Sequence, residues 1–134
     1  MKPAAYKKLL AQATRLEREA QRLLKLVVIH SPVKRLPIVR IMEVVAADLE
    51  VPLAVMTSPL RGLEAEAFAR HLAMFFTHEL LDFSLAEIGR QFGGRDHGTV
   101  LNAIRAVRAR VETESTRAVQ VKALRAFFLK ELNR

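Results

Sequence analysis

The chain has 134 residues, a formal net charge of +8 at pH 7 and no cysteine. That length suits one domain with an appended arm, and 51% hydrophobic residues are enough for a real core. The absence of cysteine excludes a disulfide scaffold and a thiolate metal site, and no run approaches the length of a membrane-spanning helix. Met1-Lys2-Pro3 opens a mixed charged segment rather than a signal peptide, so the expected location is cytoplasmic. Charge is unevenly distributed. Residues 1–40 hold ten Lys or Arg against two Glu, residues 41–89 two Arg against eight acids, and residues 90–125 eight basic residues against three acids. Two basic regions therefore flank an acidic stretch. Clustered Lys and Arg are what phosphate binding requires, although charged helix faces are also commonly just solvated.

In chain order, the first predicted element is a helix over 3–29, with Pro3 suited to a first turn. Leu9, Ala13, Leu16, Ala20, Leu23 and Val27 form a heptad seam, flanked by Arg15, Glu17, Arg18, Glu19 and Arg22. An isolated helix is marginal in water, so this seam must bury against something. Residues 9–27 either pair in a homodimer or with a helical partner, or fold back on their own domain. Residues 1–30 thus read as a basic amphipathic arm and residues 31–134 as the main domain, separated by a break at His30-Ser31-Pro32.

A second helix is predicted from Ile38 to near Glu50, on the pattern Ile38, Ile41, Val44, Val45 and Leu49. Pro52 starts a short turn over Leu53-Ala54-Val55-Met56, and Thr57 to Gly62 is a loop. Residues 63–81 form a long helix with Phe68, Leu72, Phe75, Phe76 and Leu80 on or near its buried face. Ser84 caps the next helix in a capping-box arrangement with Glu87, and Ile88 and Phe92 face the core. Gly93-Gly94 stops that helix. Asp96 caps another that runs to about Thr113, with Val100, Leu101, Ile104, Val107 and Val111 as its buried stripe. A last helix covers about Arg117 to Leu132, with Val121, Leu124, Phe127 and Phe128 apolar. No segment alternates as a strand would. The expected fold class is all-α: a small helical domain with a helix-turn-helix over about 84–112 and an added N-terminal amphipathic helix.

Two short helices joined by a tight glycine turn are also what an ordinary helical hairpin contains. The residues opening the second helix distinguish the cases. Asp96, His97, Gly98 and Thr99 are polar or tiny, and in a helix-turn-helix this end faces the major groove. Arg95 in the turn can reach a phosphate, and Asp96 can accept from a cytosine amino group as well as cap the helix. His97 can donate to a base edge or a phosphate, and Thr99 offers a hydroxyl and a methyl. Leu85 sits where backbone N–H groups attract phosphate.

The run Ser84-Leu85-Ala86-Glu87-Ile88-Gly89, continued by Phe92-Gly93-Gly94-Arg95-Asp96-His97-Gly98-Thr99-Val100-Leu101, resembles the C-terminal DNA-binding domain of the bacterial replication initiators of the DnaA family. The similarity extends upstream through Arg70-His71-Leu72-Ala73-Met74 and, more weakly, from about Ile38 to about Val111. The resemblance implies a Trp-repressor-like fold and a sequence-preferring double-stranded DNA-binding protein, nucleoid-associated and regulating replication initiation or transcription. It implies DNA contacts from Arg70, His71, Leu85, Arg95, Asp96, His97 and Thr99, with Arg105 and Arg61 as weaker additions.

The chain departs from the family's pattern at three places. Gly98 stands where threonine is usual and reads a base, and such a contact is worth about 1–3 kcal/mol of discrimination. The loop before the long helix, arginine-rich in the family and entering the minor groove, here carries Arg61 with Glu64 and Glu66 close behind. Ala86 replaces a proline. These features also support an alternative, a protein-interaction or dimerisation module that keeps the fold without specific DNA reading. No G-x-x-x-x-G-K-[ST] phosphate loop occurs in these residues, so no ATPase module is expected in them. His78-Glu79-Leu80-Leu81-Asp82 lacks the second histidine of a helical zinc motif. Asp96-His97 has no activated nucleophile beside it. No enzyme activity, metal or cofactor is expected.

Overall fold

Apolar residues at helical spacing, punctuated by Pro37, Pro52, Gly62 and Gly93-Gly94, produce a chain of helices and short turns. A computed structural model of the chain describes residues 3–30 and 36–133, and no strand occurs among the described residues. Two compact units are distinguished, residues 1–33 and residues 34–134.

The first unit contains α1 (Pro3–His30). Residues 11–20 are all exposed along it, and Leu16 and Leu23 of the seam expose 66% and 55% of their surface. The side chains of Leu9 and Val27, and the break predicted after His30, lie outside the described residues.

The second unit contains α2 (Ile38–Asp48), a 3-10 turn (Leu53–Met56), α3 (Glu64–Leu80), α4 (Leu85–Gln91), α5 (His97–Thr113) and α6 (Ser115–Leu132). Helix α3 is the centre of the unit. α2, the 3-10 turn, α4 and α5 all pack on it, so it is buried nearly all round rather than along one face. Phe76 is fully buried, with its ring 5.3 Å from Phe75 and 5.1 Å from Phe128 of α6, both edge-on. Burying such a side chain contributes about 2–3 kcal/mol. Two bidentate ion pairs tie α6 down, Arg125 to Glu79 of α3 and Arg40 of α2 to Glu131. Helix α6 starts at Ser115, earlier than expected, because only Glu114 interrupts the two helices; its carboxylate is paired with Arg110 at 2.7 Å.

On α5, Val100, Ile104 and Val107 are fully buried as expected. Leu101 and Val111 are only half-buried, and Ala103 takes a core position instead. Ile88 and Phe92 are fully buried.

The α4–α5 turn is set by local bonds. Ser84 Oγ accepts from the Glu87 N–H at 3.1 Å and starts α4. At its other end the Arg95 N–H donates to the Gly89 carbonyl at 2.8 Å. Gly93 and Gly94 take the left-handed conformation at φ +84° and +75°. Asp96 Oδ1 then accepts from the Thr99 N–H at 2.8 Å and starts α5. Gly89 is required for a different reason. A Cβ there would overlap the Arg95 carbonyl oxygen, which is backbone and cannot swing aside. We therefore expect Gly89→Ala to destabilise the protein by about 3 kcal/mol, read as a lower midpoint in urea unfolding followed by circular dichroism. A midpoint equal to the wild type's would contradict this close packing.

Candidate nucleic-acid interface

The α4–α5 turn leaves Asp96, His97 and Thr99 exposed at the start of α5, with Gly98 half-buried among them. Asp96 serves as the cap, and the bonds it accepts from Thr99 hold its carboxyl below the usual carboxylate range. Arg105 is exposed farther along the same helix. Asn102, not among the residues expected from sequence, lies one turn from both Thr99 and Arg105 and is also exposed; the 3.6-residue period extended along α5 marks it. Leu85 is half-buried at the first residue of α4.

Two arginines and a histidine lie beside this surface. Arg61 is exposed in the loop before α3, His71 is half-buried on α3, and Arg95 is half-buried in the turn. Arg70 is only 3% exposed, and its guanidinium donates to main-chain carbonyls of residues 55, 60 and 61. The resemblance placed Arg70 among the DNA contacts, whereas the structure turns it inward. The signal for this was present in the sequence: Arg70 is a lone charge within Ala67-Phe68-Ala69 and Leu72-Ala73-Met74, where a charge has to find buried partners.

The acids of the loop also take an unexpected place. Glu66 Oε1 accepts from the Leu63 N–H at 2.8 Å, and Glu64 and Glu66 both lie in the first turn of α3, where carboxylates oppose the positive end of the helix. They start a helix rather than simply acidify a DNA-facing loop. Likewise, three of the eight basic residues in 90–125 serve the framework. Arg110 and Arg117 lie over the Phe68 ring at 4.2 and 4.3 Å, and Arg125 pairs with Glu79.

Burial pushes the His71 imidazole below its ordinary pKa, and Arg70, Arg61 and Arg95 reinforce the shift. A histidine depressed in the folded state contributes stability that is present above its unfolded pKa of about 6.5 and is lost as pH falls toward the folded value. Thermal stability is therefore expected to drop as pH falls below about 6.5. His71→Gln should remove part of that slope in melts across this range, and an unchanged slope would rule His71 out as its source.

Residues 38–107 match the family described as bacterial dnaA protein helix-turn-helix. A chromosomal replication initiator protein DnaA of Methylacidiphilum infernorum is 35% identical over 106 residues, covering 79% of this chain and 23% of the relative. The same-named protein of Nitrobacter winogradskyi is 37% identical over 121 residues, covering 90% and 25%. That of Mycoplasma capricolum is 59% identical over 39 residues, covering 29% and 9%. The chain spans at most about a quarter of the length of these curated relatives. The turn geometry and the match over 38–107 together lead to one conclusion: this chain belongs to the bacterial DnaA helix-turn-helix family.

Proposed function

We propose that the chain binds double-stranded DNA with sequence preference and acts in the control of replication initiation or of transcription, in the cytoplasm at the nucleoid. The observation that carries this reading is the start of α5, with Asp96, His97 and Thr99 exposed, presented beyond a glycine turn with the Arg61 and Arg95 guanidinium groups and the His71 imidazole beside it. In this reading α5 enters the major groove. His97 and Thr99 meet base edges or phosphate, and Asp96 caps the helix and accepts from a base amino group. Arg61 approaches the minor groove, while Arg95, Arg105 and the first turn of α4 at Leu85 engage phosphates. Catalysis has no part in it.

Gly98 specifically favours a second reading, a module that retains the fold but contacts a protein. A glycine offers no side chain to a base at the position where the resemblance implies a base-reading threonine. A threonine would fit there, since a Cβ at residue 98 meets only Asp96 Oδ1, at an ordinary 3.5 Å.

Fluorescence-anisotropy titration with an initiator-type box duplex and a scrambled duplex at two salt concentrations separates these readings. We expect the box to bind more tightly, with affinity falling steeply as salt rises. The Arg95→Ala, His97→Ala double variant should lose at least about tenfold on the box, and Gly98→Thr should widen the preference by roughly tenfold. Equal binding to both duplexes, unmoved by the variants, would place affinity outside α5; no binding to either would leave the protein-interaction reading.

The arm carries a second element of the proposal. The open seam at Leu16 and Leu23 fits a twin helix, giving a homodimer that reads paired half-sites. Sedimentation equilibrium is expected to show a dimer that Leu16→Ser, Leu23→Ser converts to monomer. A wild-type monomer at tens of micromolar would remove this element.

A further inference from the structure

We propose that Arg70 is a positioning residue: together with Arg95 it clasps the main chain of the loop before α3 and holds the Leu60-Arg61 tip against the helix-turn-helix turn, so that the loop and the start of α5 form one reading surface. The proposal rests on the DNA-binding reading above and assigns Arg70 a role different from phosphate contact.

The geometry points to this in three ways. First, Arg70 makes four hydrogen bonds, all to main-chain carbonyls. Its Nε donates to the Val55 carbonyl at 3.0 Å, its Nη2 to those of Leu60 and Arg61 at 3.0 and 3.2 Å, and its Nη1 to that of Arg61 at 3.4 Å. A buried guanidinium must place its donors, and here every nitrogen has a carbonyl. A phosphate ligand would need donors facing solvent. Second, Arg95 grips the same carbonyl from the opposite element. Its Nη2 donates to Leu60 O at 3.2 Å while its Nη1 donates to Phe92 O, so one guanidinium bridges loop and turn. Third, the two segments touch directly. A Cβ on Gly93 would come within 2.6 Å of the Thr57 carbonyl oxygen, so the glycine turn lies flush against the start of the loop.

The clasp holds carbonyls inward, and the side chains at the tip face outward: Leu60 is 73% exposed and Arg61 is exposed beside it. The loop thereby presents an apolar side chain and one cation at a fixed place relative to residues 96–99. Only arginine supplies the planar fork that reaches carbonyls at residues 55, 60 and 61 together. Lysine would keep the charge as a single point.

That difference gives the test. Amide hydrogen exchange of the free protein and box and scrambled titrations at two salt concentrations are measured for wild type, Arg70→Lys and Arg70→Gln. Both variants are expected to speed exchange at the Leu60 and Leu63 amides by roughly tenfold or more while interior amides of α3 and α5 stay protected. Both are expected to lose most of the box preference with the salt slope unchanged. Arg70→Lys with wild-type loop protection and wild-type preference would overturn the proposal. So would Arg70→Gln with an intact loop and a salt slope smaller by about one, the signature of a lost phosphate contact. If the wild type binds neither duplex, the DNA-binding reading fails; the exchange data then decide the clasp alone, acceleration supporting it and no change overturning it. A readout without variants guards against misfolding. The Arg70 Nε–H of the wild type is expected to exchange slowly, and exchange as fast as that of a solvated guanidinium would refute the clasp.

Discussion

The approach of α4 to the turn that follows it sets everything downstream. Gly89 lets the Arg95 carbonyl lie against its α-carbon, and the Arg95 N–H returns a bond to the Gly89 carbonyl. This contact fixes where the chain leaves α4, and two glycines at positive φ then turn it into Asp96. Asp96 can cap α5 only from that place. The placement of residues 97 and 99 follows from a backbone contact between residues 89 and 95 that precedes them in the chain.

Around that contact, charge is distributed by task and does not follow its distribution along the sequence. The acidic middle of the chain contains Glu66, which caps α3, and Glu79, which anchors α6. The basic 90–125 segment contains Arg110 and Arg117, which lie over the Phe68 ring, and Arg125, which answers Glu79. Arg61, Arg90, Arg105, Arg108 and Lys122 stay exposed, whereas Arg95 gives both Nη groups to main-chain carbonyls and burial holds His71 toward its neutral form. Net charge along the 90–125 segment therefore overstates how much free positive charge it offers, because Arg125 is matched by Glu79 from outside the segment and Arg117 lies over the Phe68 ring.

Local physics was legible in the sequence. Ser84, Asp96 and Gly93-Gly94 marked the ends of α4 and α5 because caps and left-handed turns depend on near neighbours. The apolar period located α2, α3 and α5 to within a residue or two at each end. Features that depend on distant partners were not legible in the same way. Nothing in the loop sequence says that the carbonyl of Leu60 meets guanidinium groups from residues 70 and 95, because that meeting is made by tertiary packing. The same holds for Ala103, which displaced Leu101 from the core once α3 was in place, and for Arg117, whose partner ring lies on α3. Arg70 is an intermediate case. Its apolar surroundings signalled burial, while the family resemblance pointed outward, and the buried setting decided its place.

Because the loop is held through main-chain carbonyls, its side chains are released from structural duty. Any residue at position 60 or 61 offers the same carbonyl to the clasp. Substitution of either side chain at the tip is therefore expected to leave the loop in place. Recognition at this edge of the domain can drift quickly under selection while the scaffold beneath it stays still. A designer could use the same freedom, grafting new tips onto a fixed mount.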